Sequence, residues 1–224
     1  GSQYVGMWEN GNFNGHGKLK YANGVNLEGN FLDGKLNGKG IQDNPNGYSY
    51  DGEWSDGKKI GIASVKYAGG GNYLGQVLDG IREGKGKLTL QDGTIMEGVF
   101  QDGTLVKQGQ VRFANGDQYS GEILMGKITG EGRKNYSSGA FYEGSFLNNQ
   151  HHGYGIYNNS QGYIAEGKWI NGQLQGSGKL TYPDLSNYIG DLKNGIPNGT
   201  GTITFTDDSN YTGQWTDGKI NGFG

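Results

Sequence analysis

The chain has 224 residues, a net charge of −3, only 32% apolar residues and no cysteine. The acidic balance argues against a nucleic-acid-binding protein, because phosphate contacts need a concentrated basic surface. The missing cysteines exclude a disulfide framework or a thiolate zinc site, and no apolar run approaches the ~20 residues of a membrane-spanning helix.

An internal repeat dominates the sequence, which combines 47 glycines with 15 tyrosines. A period of 23 residues runs from Tyr4 to the end of the chain without insertion or deletion. Glycine occupies the third position of every unit, and an apolar residue occupies the fifth, where all 4 tryptophans lie. We therefore predict a repeat array over residues 4–224 with a truncated last unit, and we interpret residues 1–3 as a cloning remnant. The units begin at residues 4, 27, 50, 73, 96, 119, 142, 165, 188 and 211.

Each unit begins with a predicted strand and a tight turn. In the segment Tyr4–Trp8 the apolar and glycine positions alternate with polar ones, which predicts a strand with positions 1, 3 and 5 on one face. An Asn-Gly or Asp-Gly pair follows at positions 7 and 8, as in Asn10-Gly11, and predicts a two-residue hairpin turn. With this turn, position 3 is expected to pair with position 12, and position 1 with position 14.

A second strand and a different turn complete the unit. Glycines at positions 12 and 14 precede a usually aliphatic position 16 and a position 18 that is mostly Tyr, Phe or Leu. A three-residue loop that pairs position 18 with position 22 would keep all aromatic residues on one face. In two units position 18 is Asn44 or Asn159, and position 22 is then Tyr48 or Tyr163. This exchange supports the predicted pairing.

The opposite face carries charges of alternating sign. The predicted register places Glu28 between Lys18 and Lys39, and Glu53, Glu97 and Glu143 opposite Lys39, Lys87 and Arg133. Such cross-strand pairs contribute about 0.2–1 kcal/mol each. We interpret these charges as a solvated structural face and not as a ligand site.

The repeated pattern Y-x-G-x-W-x-x-G-x-x-x-G-x-G, seen from Tyr4 to Gly17, resembles the MORN (membrane occupation and recognition nexus) repeat. The resemblance implies an all-β fold, an elongated, twisted single-layer antiparallel sheet of stacked hairpins in an open, solenoid-like array. It also implies scaffold functions in cytoskeletal, flagellar or membrane-junction assemblies, sometimes beside a catalytic module, and phospholipid binding has been proposed for the family. Local departures from the pattern, which leave the turn geometry open, are Ala63, Lys107, Asn149, Leu185 and Asp208.

The sequence offers no recognisable catalytic or cofactor chemistry. Its acidic residues recur along one face instead of converging, and its Gly-x-Gly pairs recur without a following helix. His151 and His152 lack a third metal ligand nearby in the sequence. We predict a non-enzymatic protein with no cofactor and no metal, located in the cytoplasm, with a cytoskeletal or inner-membrane-surface location as further options.

The predicted partner is a protein segment, either a peptide or an amphipathic helix, that lies along an aromatic groove. For any single ring, packing within the core is the competing interpretation. The candidate partner-binding residues are Tyr4, Trp8, Tyr21, Tyr50, Trp54, Tyr67, Tyr73, Tyr182, Tyr188, Tyr211 and Trp215.

Three alternatives remain open from the sequence. Lysines at turn tips (Lys35, Lys58, Lys59 and Lys127) could contact acidic phospholipid, which would make the protein a phosphoinositide or membrane-surface adaptor. An unpaired strand edge in the truncated last unit could mediate self-association. The array could also be the targeting module of a larger enzyme.

Overall fold

The computed structural model describes residues 1–222, which contain twenty β-strands and no helix. The chain divides into two compact units, Gly1–Ala114 and Asn115–Gly224. Within each unit every strand pairs antiparallel with its neighbours along the chain, as expected for stacked hairpins. The prediction of an all-β array of stacked hairpins is therefore confirmed.

The first unit contains the strands β1 to β10, paired in consecutive order. Their bounds are Gln3–Glu9, Asn12–Lys20, Asn26–Leu32, Lys35–Asp43, Ser49–Ser55, Lys58–Lys66, Asn72–Leu78, Ile81–Thr89, Ile95–Gln101 and Thr104–Arg112.

The second unit contains the strands β11 to β20, paired in the same way. Their bounds are Gln118–Leu124, Lys127–Asn135, Phe141–Leu147, Gln150–Asn158, Ile164–Ile170, Gln173–Thr181, Asn187–Lys193, Ile196–Thr204, Asn210–Thr216 and Lys219–Asn221.

The first turn of each repeat is the predicted two-residue hairpin turn. Asn10 and Gly11 have φ angles of 48° and 81°, and a type I′ turn requires positive φ at both central residues. Met125 and Asn149 depart from the Asn-Gly pattern but adopt φ angles of 49° and 71°. The backbone geometry of this turn is thus kept where the preferred residue is missing.

The second turn has the predicted three-residue form. The Tyr21 amide donates to the Val25 carbonyl at 2.8 Å, and the Asn44–Tyr48 and Asn159–Tyr163 pairs make the same bond at 2.9 Å and 3.0 Å. The polar residue at position 20 accepts a hydrogen bond from the amide two residues later, as Asn23 does from Val25 at 3.1 Å. The pairing of positions 18 and 22 is confirmed.

The predicted register inside each hairpin is wrong. Gly6 pairs with Gly17 and Tyr4 with Leu19, so position 3 faces position 14 and position 1 faces position 16. The register shifts between Gly6 and Met7, where positions 12 and 13 bulge out of the ladder. Gly15, at position 12, has a φ of 66°, and Lys107 adopts 64° at the equivalent place. Because the slip is two residues, every side chain keeps its predicted face.

The corrected register also changes the charge pairs. Glu28 faces Ile41 across its own hairpin, so the predicted Glu28–Lys39 contact is wrong. Contacts across the second turn are correct, because that turn was predicted correctly: Lys18 pairs with Glu28 at 2.9 Å and Arg133 with Glu143 at 2.6 Å. The same register places Lys39 opposite Glu53 and Lys87 opposite Glu97.

The core of each unit consists of aromatic rings lying on glycine. A methyl group on Gly86, at position 14, would overlap the phenol of Tyr73, which lies over the Gly75–Gly86 pair. The Tyr73 hydroxyl donates to the Gln76 carbonyl at 2.8 Å, at the point where the ladder shifts register. The glycines at positions 3 and 14 therefore support the rings. The glycine at position 12 instead adopts the positive φ of the bulge, as Gly15 does.

Tryptophans at position 5 connect successive repeats. The indole N–H of Trp54 donates to the Gly40 carbonyl at 2.9 Å, and Trp169 and Trp215 donate to Gly155 and Gly201 at 3.0 Å and 3.1 Å. Each acceptor is the position-14 glycine of the preceding repeat.

No helix in residues 1–222 is long and apolar enough to cross a membrane.

Candidate functional site

In each of the two units the candidate site is the inner face, which we define as the sheet face that carries positions 1, 5, 10, 16 and 18 of its repeats. All eleven predicted residues lie at such positions. Five of them are buried: Tyr50, Trp54, Tyr73, Tyr188 and Trp215. The other six are at least partly exposed: Tyr4, Trp8, Tyr21, Tyr67, Tyr182 and Tyr211. Only the second group presents ring surface to a partner in this conformation, and partner binding by either group stays a prediction.

The most exposed of these rings lies at the start of the first unit. The Trp8 side chain is 60% exposed and contacts Phe13 edge to face, with 4.7 Å between ring centroids. Phe13 stacks on Tyr4 at 3.9 Å. The three rings form a compact aromatic surface on β1 and β2.

A second set of partly exposed rings lies on either side of the three-residue turns, at positions 18 and 22. Tyr21 and Phe205 are each 41% exposed, and Tyr163 approaches Tyr182 at 6.1 Å between ring centroids. The sequence-based candidates omitted Tyr48, Tyr136 and Tyr163, which belong to this row. The exchange of ring positions at Tyr48 and Tyr163 was the signal that could have included those two.

Position 10 adds cations that the sequence-based prediction did not place on this face. The Lys59 ammonium lies over the rings of Tyr48, Tyr50 and Trp54 at 4.7, 4.9 and 5.4 Å, and donates to the Tyr48 hydroxyl at 2.9 Å. Burial lowers the pKa of Lys59. The prediction that Lys59 lies at a turn tip is wrong: Lys59 is the second residue of β6, pairs with Trp54, and its ammonium lies among the rings of the inner face.

Arg82 occupies the same position in the next repeat. Its guanidinium lies 5.7 Å from the centre of the Tyr67 ring and 5.9 Å from that of Phe100. It donates to the Tyr67 hydroxyl at 2.8 Å and, through Nε and a terminal nitrogen, to the Gly103 carbonyl at 3.0 and 2.6 Å. Ring faces and neutral oxygens thus hold both cations in place.

His151 is the position-10 residue of the seventh repeat and behaves as an aromatic ring. It stacks on Tyr142 at 3.6 Å, and its Nε2 lies 2.8 Å from the Tyr136 hydroxyl. Burial, together with the charge of Lys134, lowers the pKa of His151 to about 4. The ring is therefore neutral at pH 7. Residues 1–222 contain no group of three or more His, Asp or Glu side chains arranged to hold a metal ion.

The lysines at the turn tips are partly neutralised. Lys35 pairs with Asp56 at 2.6 Å and Lys58 with Asp79 at 3.3 Å, while Lys127 is exposed. Contact with acidic phospholipid stays a prediction, and these ion pairs reduce the positive charge available for it.

The MORN repeat family model matches most of the chain, in nine segments. The chain belongs to the MORN repeat family. The matched residues are 4–25, 28–47, 50–70, 73–95, 119–141, 142–162, 166–186, 188–209 and 211–224. The MORN model does not match the repeat that begins at Met96, which carries Lys107 at position 12. The strands β9 and β10 nevertheless form the same hairpin in this repeat.

Two of the solved structures that resemble the chain are domains of CPAP and SAS-4. The TCP10 domain of Danio rerio CPAP has 10% identity and a TM-score of 0.45, covering 79% of this chain and 83% of that one. The TCP domain of Drosophila melanogaster SAS-4, solved in complex with a proline-rich motif of Ana2, has 12% identity and a TM-score of 0.45, covering 75% and 90%. Because both TM-scores are below 0.5, we infer nothing about function from them. No curated protein sequence matches the chain.

Proposed function

We propose that this MORN array is a non-catalytic scaffold that holds a segment of a partner protein on its inner face. The observation that carries the proposal is that each unit has its own row of partly exposed rings beside a buried aromatic core. These rings are Tyr21, Tyr48 and Tyr67 in the first unit, and Tyr136, Tyr163 and Tyr182 in the second. Tyrosine is enriched among residues that dominate binding energies, because it offers large apolar area and a hydroxyl at low entropic cost.

The inner face is also rigid enough to bind without large ordering costs. Buried tyrosines beneath the exposed row are fixed by hydrogen bonds to backbone carbonyls, as Tyr188 is to Asp191 at 2.8 Å. The exposed rings have partners too, for example Tyr67 with Arg82. A preorganised surface loses less side-chain entropy on binding, so more of the contact energy appears as affinity.

The proposal is tested by selecting peptides from a displayed random library against the intact chain. We expect the selected peptides to bind at least tenfold more weakly to Tyr67→Ser or Tyr182→Ser variants, because an interfacial tyrosine contributes about 2 kcal/mol or more.

The matched control is Tyr154→Ser, because Tyr154 is 61% exposed but lies on the opposite face of the sheet. If Tyr154→Ser weakens peptide binding and the two inner-face variants do not, the peptides bind the opposite face of the sheet. That result would contradict binding on the inner face. Selection of no peptide at all would contradict the scaffold proposal.

The other sequence-based alternatives have less support. Lipid contact would depend on tip lysines, of which Lys35 and Lys58 already form ion pairs. Self-association, a link to an enzyme, and a cytoplasmic, cytoskeletal or membrane-surface location stay predictions.

A further inference from the structure

The inner face of the first unit has an unusual charge distribution. Positions 1, 5, 10, 16 and 18 of its repeats carry two cations, Lys59 and Arg82, and no aspartate or glutamate. The opposite face has mixed charges, and its lysines form ion pairs such as Lys18–Glu28. The chain as a whole is negative, so this small uniformly positive region is a local exception.

Neither inner-face cation has a carboxylate partner. Among residues 1–222, no Asp or Glu forms an ion pair with Lys59 or Arg82, although lysines near them are paired. Lys58, the residue before Lys59, bonds to Asp79. Half-buried cations without a counter-ion are costly to maintain, and ring faces offset that cost only in part.

We propose that Lys59 and Arg82 form a two-cation site for acidic side chains of the bound partner segment. This inference rests on the proposed scaffold function and specifies the chemistry of the ligand. A shallow depression of about 440 Å³ adjoins Lys59 and is lined by Gln42, Trp54, Gly57, Lys58, Lys59 and Asp79. It has room for a side-chain carboxylate, and the Asp79 carboxylate in its wall is already bound by Lys58.

The spacing of the two cations indicates how a ligand could reach both. Equivalent positions in successive repeats are two strands apart, which is about 10 Å at ~4.8 Å per strand. In a polyproline-type extended segment, residues three apart point the same way and are separated by about 9.3 Å. An acidic residue at every third position of such a segment would meet Lys59 and Arg82 in turn.

A protein ligand fits this site better than a membrane surface. Lys59 and Arg82 are half-buried on strands and held against rings, whereas a flat bilayer would meet the turn tips first. The aromatic rings around the cations also offer apolar contact to the side chains between the acidic ones.

The experiment compares two labelled 15-residue peptides by fluorescence anisotropy, five repeats of Glu-Pro-Leu and five repeats of Gln-Pro-Leu. We expect the acidic peptide to bind the intact chain about fivefold more tightly than the neutral one at low salt, a modest ratio because both cations are partly exposed. The difference should shrink at high salt, because counter-ions screen exposed charges.

Variants assign the effect to the two cations. Lys59→Gln and Arg82→Gln should each reduce the preference for the acidic peptide, and Lys59→Arg should keep it. Lys18→Gln is the matched control and should leave the preference unchanged, since Lys18 lies on the opposite face of the sheet and is paired with Glu28. Thermal melting checks that the Arg82 variant, which loses its bond to the Gly103 carbonyl, still folds.

The outcomes separate this inference from the scaffold proposal. Equal binding of both peptides, or a preference that survives in the two Gln variants, would refute the two-cation site and leave the scaffold intact. Sedimentation with phosphatidylserine vesicles that depends on Lys59 and Arg82, without peptide binding, would assign the site to lipid instead. Failure to bind either peptide refutes the two-cation site, and the library selection then decides the scaffold proposal independently.

Discussion

In most hairpins a glycine at position 3 faces a glycine at position 14, and the two have unequal steric roles. A methyl group on Gly75, at position 3, would overlap the backbone of Gly86 and lie 2.6 Å from the Lys85 carbonyl oxygen. For a methyl group on Gly86, at position 14, the three nearest atoms all belong to the Tyr73 side chain and none to the backbone. The third repeat already contains alanine at position 14, where Ala63 is buried opposite Gly52.

We therefore expect Gly75→Ala to destabilise the first unit by about 3 kcal/mol and Gly86→Ala by about 1 kcal/mol, because only the first forces backbone atoms apart. Urea denaturation of both variants measures the difference. Equal losses of stability would show that the ring, and not the backbone, limits the space between the two strands.

The buried histidine of the second unit links stability to pH. Its pKa in the folded chain, about 4, lies below the ordinary value of 6.5, so protonation favours the unfolded state. The neutral His151 ring therefore makes its full contribution to the free energy of unfolding above pH 6.5, and this contribution declines as the pH falls towards 4. Asp117 titrates below this window: burial raises its pKa, but hydrogen bonds from Ser137 and Lys134 hold the pKa below the usual 3.8.

His151→Leu should flatten the loss of stability between pH 6.5 and pH 4, which we expect to be about 1–2 kcal/mol because the ring is only partly buried. Chemical denaturation at several pH values provides the measurement. His16→Gln is the control, since His16 is exposed on the opposite face. An unchanged pH profile in the Leu variant would mean that other groups cause the dependence.

At the scale of the element, the turns keep their backbone conformation even where their sequence departs from the repeat pattern. Leu185 occupies a glycine position in the second turn of its repeat with a φ of 73°, and its side chain is 72% exposed. A branched residue in this left-handed region costs about 1–2 kcal/mol relative to glycine. The neighbouring strands impose the conformation on the leucine.

Leu185→Gly should therefore stabilise the second unit by about 1 kcal/mol, because it relieves backbone strain and removes little packing. The control is Leu147→Gly in β13, where the side chain is 44% exposed and glycine should destabilise the strand by about 1 kcal/mol. Differential scanning calorimetry compares the two. Destabilisation by both variants would contradict the strain argument.

For the whole molecule, each of the two compact units has its own aromatic core. Tyr50 and Tyr73 are fully buried in the first unit, and Tyr142 and Tyr188 in the second. In repeat proteins stability is close to a sum of repeat terms and nearest-neighbour terms. Both residues of the edge-to-face pair Tyr73–Phe100 lie in the first unit, and both residues of the pair Tyr142–Trp169 lie in the second.

We expect fragments 1–114 and 115–224 to fold separately, with β-type circular dichroism and cooperative melting. Only fragment 115–224, which contains His151, should lose stability between pH 6.5 and pH 4 through the histidine effect. A disordered spectrum from either fragment would contradict the independence of its core.

The faces of the strands could be predicted from the sequence, while the register inside the hairpins could not. Alternation has a period of two, so it fixes the side on which Tyr4 and Trp8 lie but does not detect a slip of two residues. The bulge at Gly15 produces such a slip. The second turn was predictable because Tyr48 and Tyr163 revealed the pairing directly.

The candidate site was predicted less completely, because exposure depends on contacts between distant residues. Tyr67 and Tyr73 are both tyrosines on one face, yet only Tyr73 lies over a glycine pair and is buried. Lys59 resembled a solvated turn residue, since nothing in its local sequence indicates the three rings that surround its ammonium group.

The alternation of two-residue and three-residue turns constrains how such a chain can change in length. One residue added to a single strand would reverse the facing of every ring that follows it, and tyrosines that now lie on glycine would turn towards water. Adding or removing 23 residues leaves every facing intact. Arrays of this kind are therefore free to lengthen or shorten by whole repeats, while every remaining ring keeps its face.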